Sequence, residues 1–284
     1  MGSAQGGDYI LSRPDRAPVS VVVVTKDEER HIRRCLQSVS WAAEVIVVDA
    51  HSRDRTASIA EQIGARVFKR TWLGYADQKN FAAAQATQPW ILNLDADEEV
   101  TPALATEIRE TLARPEVPEV AFRIPIPLRF LGRQLGHYGR APRHTGHIRL
   151  WRRGTARFDA AVVHERLVVQ GPVGGLEGKI LHDSYPSPAL KSYWKKIHRY
   201  AELEARQRLI EGAPSGNCWL RAFGKLGWML LFRRGLLHGP RAWIWIGGQA
   251  YQEWLTTAAT GRLRRASGAG TVPSSLRTGD RHAL

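Results

Sequence analysis

The chain has 284 residues, 43% of them hydrophobic, enough to bury the core of one large α/β domain with an appendage or of two small domains. Lys and Arg number 41 against 27 Asp and Glu, a formal charge of +14, and the two cysteines, Cys35 and Cys218, make neither a disulfide framework nor a metal knuckle. No stretch approaches the roughly 18 uninterrupted apolar residues of a membrane span; the start, "MGSAQGGDYILSRPDRAP", lacks the basic-then-apolar pattern of a signal peptide, so residues 1–17 read as a flexible leader and a cytoplasmic location is expected.

In chain order, "VSVVVVT" (19–25) is a run of β-branched residues without alternation, the pattern of a parallel strand buried on both faces. Ile32, Cys35, Leu36 and Val39 then recur at i, i+3, i+4 and i+7, which predicts an amphipathic helix ending near Ser40. "EVIVVD" (44–49) is a second buried strand, followed by a short helix around Ser58 to Ile63 and a third strand, "ARVFK" (65–69). A helix through "DQKNFAAAQA" precedes the fourth strand, "WILNLD" (90–95). "TPALATEIRETL" opens with Thr101 as N-cap and Pro102 at the first helical position. Alternating units of this kind imply a mostly parallel central sheet with right-handed crossovers and helices on both faces, here over residues 18–125.

In such sheets a ligand binds beyond the carboxyl ends of the strands. Those ends read "TKDEE", "VVDAHSRDRT" and "NLDADEE", and all three are acidic. Neither G-x-G-x-x-G nor G-x-x-x-x-G-K-[ST] occurs in the chain, which disfavours a Rossmann dehydrogenase and a P-loop enzyme. Carboxylates gathered at one sheet edge repel one another unless a cation sits among them, and hard divalent ions such as Mg²⁺ or Mn²⁺ take one or two carboxylates plus substrate phosphates. Asp95 and Asp97 are therefore expected to divide the work, one facing a ribose and the other the metal. An acidic first turn that complements a helix dipole is the plainer alternative; it suits Glu98 and Glu99 and suits Asp95 poorly, because Asp95 directly follows an apolar strand.

The ordered segments "SVVVVTKDEE", "VIVVDAHSRDRT", "QKNFAAAQA" and "WILNLDADE" resemble family 2 glycosyltransferases of the GT-A fold, from residue 19 to about 100. Further on, "HIRLWRRG" (147–154), "VVHERL" (162–167), "GKILHDSY" (178–185) and "FRRGLLHGPRAWIWIGGQAY" (232–251) resemble the subgroup that adds a sugar to the lipopolysaccharide inner core, typified by β-1,4-glucosyltransferases. "LLHGPRAW" departs from the acidic Asp-Gly turn expected there. The resemblance implies an inverting, metal-dependent hexosyltransferase that takes a nucleotide-sugar donor, UDP-glucose first among them. The implied acceptor is a lipopolysaccharide core or another lipid-linked envelope saccharide. It places donor contacts on Thr25, Glu28, Asp49, Lys79 and Asp95, the metal on Asp97, and a loop-bracing role on Asp54. For the general base the chain offers Asp159, Glu165 and Asp183, and the resemblance favours Glu165, in an acceptor-side half at 126–185. His164, Asp183 and Arg149 are further possible site residues.

Residues 186–265 carry 14 Lys or Arg against four Glu, a net +10, with six of the ten Trp. Basic residues beside Trp suit an anionic surface. Helices over 186–262 are therefore expected to lie on the inner face of the inner membrane, followed by a flexible tail at 263–284. A solvated helical face over an aromatic core is the plainer alternative. Two other functions compete: transfer to a polyprenyl phosphate, which the same tail would suit, and a nucleic-acid-binding module, which three acidic strand ends oppose. No nucleic-acid partner is expected.

Overall fold

The computed structural model describes residues 16–127, 129–131, 133–134, 146–159, 166–182, 190–213, 216–231, 237 and 239–266. They fall into two compact units, one drawn from 1–126, 143–160 and 166–182, the other from 127–142, 161–165 and 183–284. The chain runs β1 (Ala17–Thr25), α1 (Ile32–Gln37), β2 (Ala42–Asp49), α2 (Thr56–Gln62), β3 (Arg66–Lys69), α3 (Tyr75–Ala84), β4 (Trp90–Asp95), β5 (Glu98–Val100), α4 (Pro102–Leu112) and β6 (Ala121–Ile124). After these come β7 (Arg129–Phe130), β8 (Arg133–Gln134), β9 (His147–Arg152), β10 (Ala156–Phe158), β11 (Leu167–Val169), β12 (Val173–Gly175) and β13 (Ile180–His182). Three helices close the described chain: α5 (Leu190–Ile210), α6 (Cys218–Leu231) and α7 (Pro240–Ala266).

The first unit is organised by a seven-stranded sheet in the order β12-β6-β9-β4-β1-β2-β3. Strands β3, β2, β1 and β4 are mutually parallel, as the sequence predicts. Strand β9 then enters antiparallel between β4 and β6, and β12 runs parallel to β6. The valine run of β1 lacks alternation because both of its faces are covered. Val19, Val21 and Val23 pack with Ile32, Leu36, Ile59, Leu104 and Ile108, contributed by α1, α2 and α4. Val22 faces the other way, towards Ala76 and Ala82 of α3 and towards Trp151 and Phe158. Thr101 caps α4 as expected, its hydroxyl accepting from the Leu104 N–H at 3.3 Å with Pro102 at the start of the helix.

At the amino ends of the strands, Glu44 is buried and accepts from the Thr87 amide at 2.9 Å, the Thr87 hydroxyl at 3.0 Å, Ser20 and Arg66. Burial alone would raise this carboxyl, yet those donors hold it below the ordinary glutamate value. The sheet is thus locked at the end opposite to the acidic loops.

In the second unit, α5 and α6 both pack on α7. Tyr193 is fully buried, stands edge-on to Phe130 with ring centroids 4.9 Å apart, and donates its hydroxyl to the Trp245 carbonyl at 3.0 Å. Its ring lies so close to α7 that a side chain at Gly248 would collide with it, which explains a glycine in mid-helix. Glu253 of α7 receives Arg208 of α5 through two 2.8 Å bonds, Arg221 of α6 at 2.9 Å and Lys225 of α6 at 3.8 Å. Among the described residues no helix is long and apolar enough to cross a membrane.

Candidate functional site

Strand register sets the site. Thr25 lies beside Asp49 and Val24 beside Asp95, so the ends of β1, β2 and β4 bring these side chains to one edge. The two loops after β1 and β2 are stitched together by their own acids. Asp27 accepts from the Arg53 amide at 2.7 Å, Asp54 from the Glu29 amide at 3.1 Å, and Asp49 from the Ser52 amide at 2.9 Å and from the Ser52 hydroxyl. Glu28 pairs with His31 at 2.7 Å. Asp54 braces the loop, as the resemblance implies. These acids are satisfied by backbone N–H groups and neighbouring side chains, so mutual repulsion at these two strand ends is relieved within the fold. Asp49 is fully buried with both carboxylate oxygens engaged by Ser52, the turn-forming role of an acid. Thr25 is buried, and its hydroxyl has no hydrogen-bond partner among the described residues.

The third strand end is built differently. Asp95 pairs with Lys79 of α3 at 3.2 Å and with Arg149 of β9 at 3.1 Å, and Arg149 also reaches Glu98 at 2.6 Å. Glu98 in turn accepts the Asp95 amide at 2.9 Å. Asp95, Arg149 and Glu98 thus close a ring, and Lys79 joins it through Asp95. Burial would raise the Asp95 carboxyl, but Arg149 and then Lys79 outweigh it and hold it well below the usual carboxylate range. For Glu98, burial dominates and pushes the carboxyl up to about 7, with Arg149 opposing and Asp95 adding. Glu98 belongs to β5, which pairs with β13, and is 1% exposed. A helix-dipole role for it is therefore wrong, because tertiary pairing places it under Arg149. Lys79 is buried as well, with its ammonium 5.6 Å from the Phe158 ring centroid, and is no solvated helix lysine.

Asp97 lies beyond this ring and meets His182 of β13, Nε2 to Oδ2 at 2.9 Å, with 26% and 29% of the two side chains exposed. Burial lowers the His182 pKa, but the Asp97 hydrogen bond and the charges of Asp97, Glu98 and Asp95 leave it raised. Among the described residues no three His, Cys, Asp or Glu side chains converge as a ready-made metal cage. A carboxylate and an imidazole side by side nevertheless fit a hard divalent ion whose remaining ligands come from phosphates and water. Asp97 and His182 are the residues that could hold it.

Three of the residues that the sequence offers for the site, His164, Glu165 and Asp183, lie outside the described residues. Asp159 accepts the Arg166 amide at 2.8 Å across the β10–β11 hairpin, which gives it a bracing role. Two further residues join the site with little local signal to announce them. His182 stands in "GKILHDSY", where only the pairing of β13 with β5 brings it to Asp97. Asn93 is the polar residue inside the apolar "WILNLD"; it is 1% exposed, and neither amide atom has a hydrogen-bond partner among the described residues. Its position two residues before Asp95 puts it on the same face of β4. A cavity of ≈ 570 Å³ opens elsewhere, between α3 and the β10–β11 hairpin, lined by Asp77, Asn80 and Arg157 and by no member of the ring.

A mostly parallel sheet with helices on both faces and an Asp-x-Asp turn at the carboxyl edge of its central strand defines the GT-A class of fold. The family model described as "Glycosyl transferase family 2" matches residues 20–153. The lipopolysaccharide core biosynthesis glycosyltransferase LpsC of Rhizobium meliloti is 33% identical over 207 residues, 69% of this chain and 74% of that one. An uncharacterized glycosyltransferase, RT0209, of Rickettsia typhi is 31% identical over 70% of each chain. A solved mannosyltransferase, PcManGT of Pyrobaculum calidifontis, in complex with GDP-Man and Mn²⁺, aligns over 92% of this chain and 78% of its own at 17% identity and a TM-score of 0.47. The chain belongs to glycosyl transferase family 2.

Proposed function

We propose that the protein is an inverting hexosyltransferase that moves a sugar, glucose from UDP-glucose first among the candidates, onto a lipopolysaccharide core or related envelope glycolipid. In this proposal it works at the cytoplasmic face of the inner membrane. The observation that carries this reading is the Asp95–Arg149–Glu98 ring, with Lys79 paired to Asp95, beside the Asp97–His182 pair at the sheet edge where α/β folds bind ligands. Its likeness to LpsC supports the acceptor class.

In this reading Asp97 and His182 hold Mg²⁺ or Mn²⁺, which when bound supplies positive charge for the leaving diphosphate. Asp95, fixed from two sides by Lys79 and Arg149, presents an ionised carboxylate to the donor ribose. Lys79 and Arg149 add positive potential beneath the diphosphate, and Thr25, Glu28 and Asp49 shape the nucleotide end of the site. Transfer is a single displacement: the acceptor oxygen loses its proton to a base and bonds the anomeric carbon, while the bond to the diphosphate breaks and its electron pair leaves with the nucleotide. The base is assigned to Glu165. Glu165→Gln should keep nucleotide-sugar affinity and lose transfer by roughly 10² or more; a variant within about tenfold of the parent moves the base to Asp183 or Asp159.

The function is tested with UDP-glucose, UDP-galactose, ADP-heptose and GDP-mannose, each scored for thermal stabilisation and for hydrolysis with Mn²⁺, Mg²⁺ or chelator. Metal-dependent stabilisation by one nucleotide sugar, UDP-glucose foremost, is expected. Indifference to all four overturns the donor assignment.

A further inference from the structure

Helix α6 is amphipathic in the reverse sense. Its charged residues, Arg221 and Lys225, reach along one side of the buried Ala222 and Met229 to Glu253 of α7. Its large apolar residues turn outward: Trp219, Leu220, Phe223, Trp228 and Leu231 are between 49% and 74% exposed. At about 100° per residue, Leu220, Gly224, Gly227 and Leu231 form one line, with Trp219 and Phe223 on one flank and Trp228 on the other. No charged residue interrupts the arc from Trp219 to Trp228. A helix whose outer face met only water would carry the opposite arrangement, and folded monomers rarely leave contiguous apolar patches of this size uncovered.

Charge decides what covers it. Residues 217–240 contain four Lys or Arg and no acid, within a segment of net +10. A second copy would bring the same positive charge against it, whereas an anionic lipid surface is complementary. The helix has 14 residues, about 21 Å at 1.5 Å per residue, too short to span a bilayer and long enough to lie in its interface. Tryptophans at the margins of the arc and Arg233 and Arg234 following in sequence are the residue types that sit at headgroup level.

We propose that α6 is an in-plane membrane-insertion helix, its Trp-Leu-Phe face seated below the headgroups of an anionic bilayer. This goes beyond electrostatic attraction by the basic tail, because it requires apolar contact that salt does not screen. It is independent of which sugar is transferred.

The test uses the full chain and flotation with phosphatidylcholine vesicles, with and without 30% phosphatidylglycerol, at 0.1 and 1 M NaCl. The parent should float with anionic vesicles at low salt and retain a measurable fraction at 1 M. Leu220→Glu/Leu231→Glu, two substitutions on an exposed face, should lower the partition coefficient at least tenfold while leaving the melting temperature unchanged. Complete release of the parent by 1 M salt, or a double variant within twofold of the parent, overturns insertion. A dimer in sedimentation that the double variant abolishes, with no vesicle binding, overturns it in favour of a second copy. Failure of the nucleotide-sugar panel leaves this outcome untouched, since flotation needs no donor.

Discussion

Asp95 in the first unit and Glu253 in the second are carboxylates drawn into clusters of Lys and Arg, and they differ in what they leave open. Glu253 gathers Arg208, Arg221 and Lys225 from two other helices, and its side chain is 10% exposed. Its group of one acid and three bases joins α5 and α6 to α7. Asp95 sits in a balanced cluster of two acids and two bases and keeps 37% of its side chain exposed. Beside it, Asn93 and Thr25 hold buried polar atoms without hydrogen-bond partners among the described residues. A cluster that only holds helices together saturates its polar groups. One that awaits a ligand keeps one side exposed and some groups unsatisfied. By that criterion the first is a site and the second a keystone.

The largest expected effect separates the two directly. Asp97→Ala should lower metal-dependent transfer by about 10³, the several kcal/mol that a metal's charge stabilisation is worth, with little change in melting temperature. Turnover with Mn²⁺ close to that of the parent would remove Asp97 from the metal. Glu253→Gln should behave in the opposite way, destabilising the second unit by about 3 kcal/mol because three cations lose their partner, while nucleotide-sugar affinity stays unchanged. A loss of donor binding without a loss of stability would erase the contrast.

Acid provides the same contrast without mutation. Glu253 is lowered from 4.5 to about 2: burial opposes ionisation, but the bonds from Arg208 and Arg221 outweigh it. A carboxyl depressed in the folded state contributes stability that is fully present above its unfolded pKa. That contribution is lost as pH falls through the folded one, here between about 4.5 and 2. The shift corresponds to about 3 kcal/mol. Chemical denaturation of the parent across that window should show the loss and Glu253→Gln should lack it; parallel curves would deny the keystone its charge. The smallest effect is expected at Asn93. Asn93→Val removes an amide with no bonds to lose, so stability should stay within about 1 kcal/mol of the parent or rise. A drop of several kcal/mol would mean that the amide is already satisfied within the fold.

Much of this architecture is legible in the residues. "VSVVVVT" announces a strand buried on both faces, and Thr101-Pro102 marks the start of α4. Asp95 and Asp97 stand out by their place after an apolar strand, and local chemistry carries that far. Arg149 is only one possibility among several in the sequence, since it reaches Asp95 because β9 inserts antiparallel beside β4, and no local pattern states which distant strands pair. His182 depends in the same way on β13 meeting β5, and Glu98 resembles a helix-start acid locally because its burial comes from that pairing. In α6 the apolar spacing is visible, but periodicity does not say which face turns inward. Only the contact of Arg221 and Lys225 with Glu253, and the exposure of Trp219, Leu220, Phe223, Trp228 and Leu231, show that the apolar face is the outer one.

We propose that the Asp95 ring and the Asp97–His182 pair form one metal-dependent nucleotide-sugar site. Calorimetric titration of UDP-glucose into the full chain, with Mn²⁺ and again with chelator, tests it most directly. Binding with Mn²⁺ that weakens at least tenfold on chelation and is lost in Asp97→Ala is expected. Equal affinity in all three titrations would contradict it.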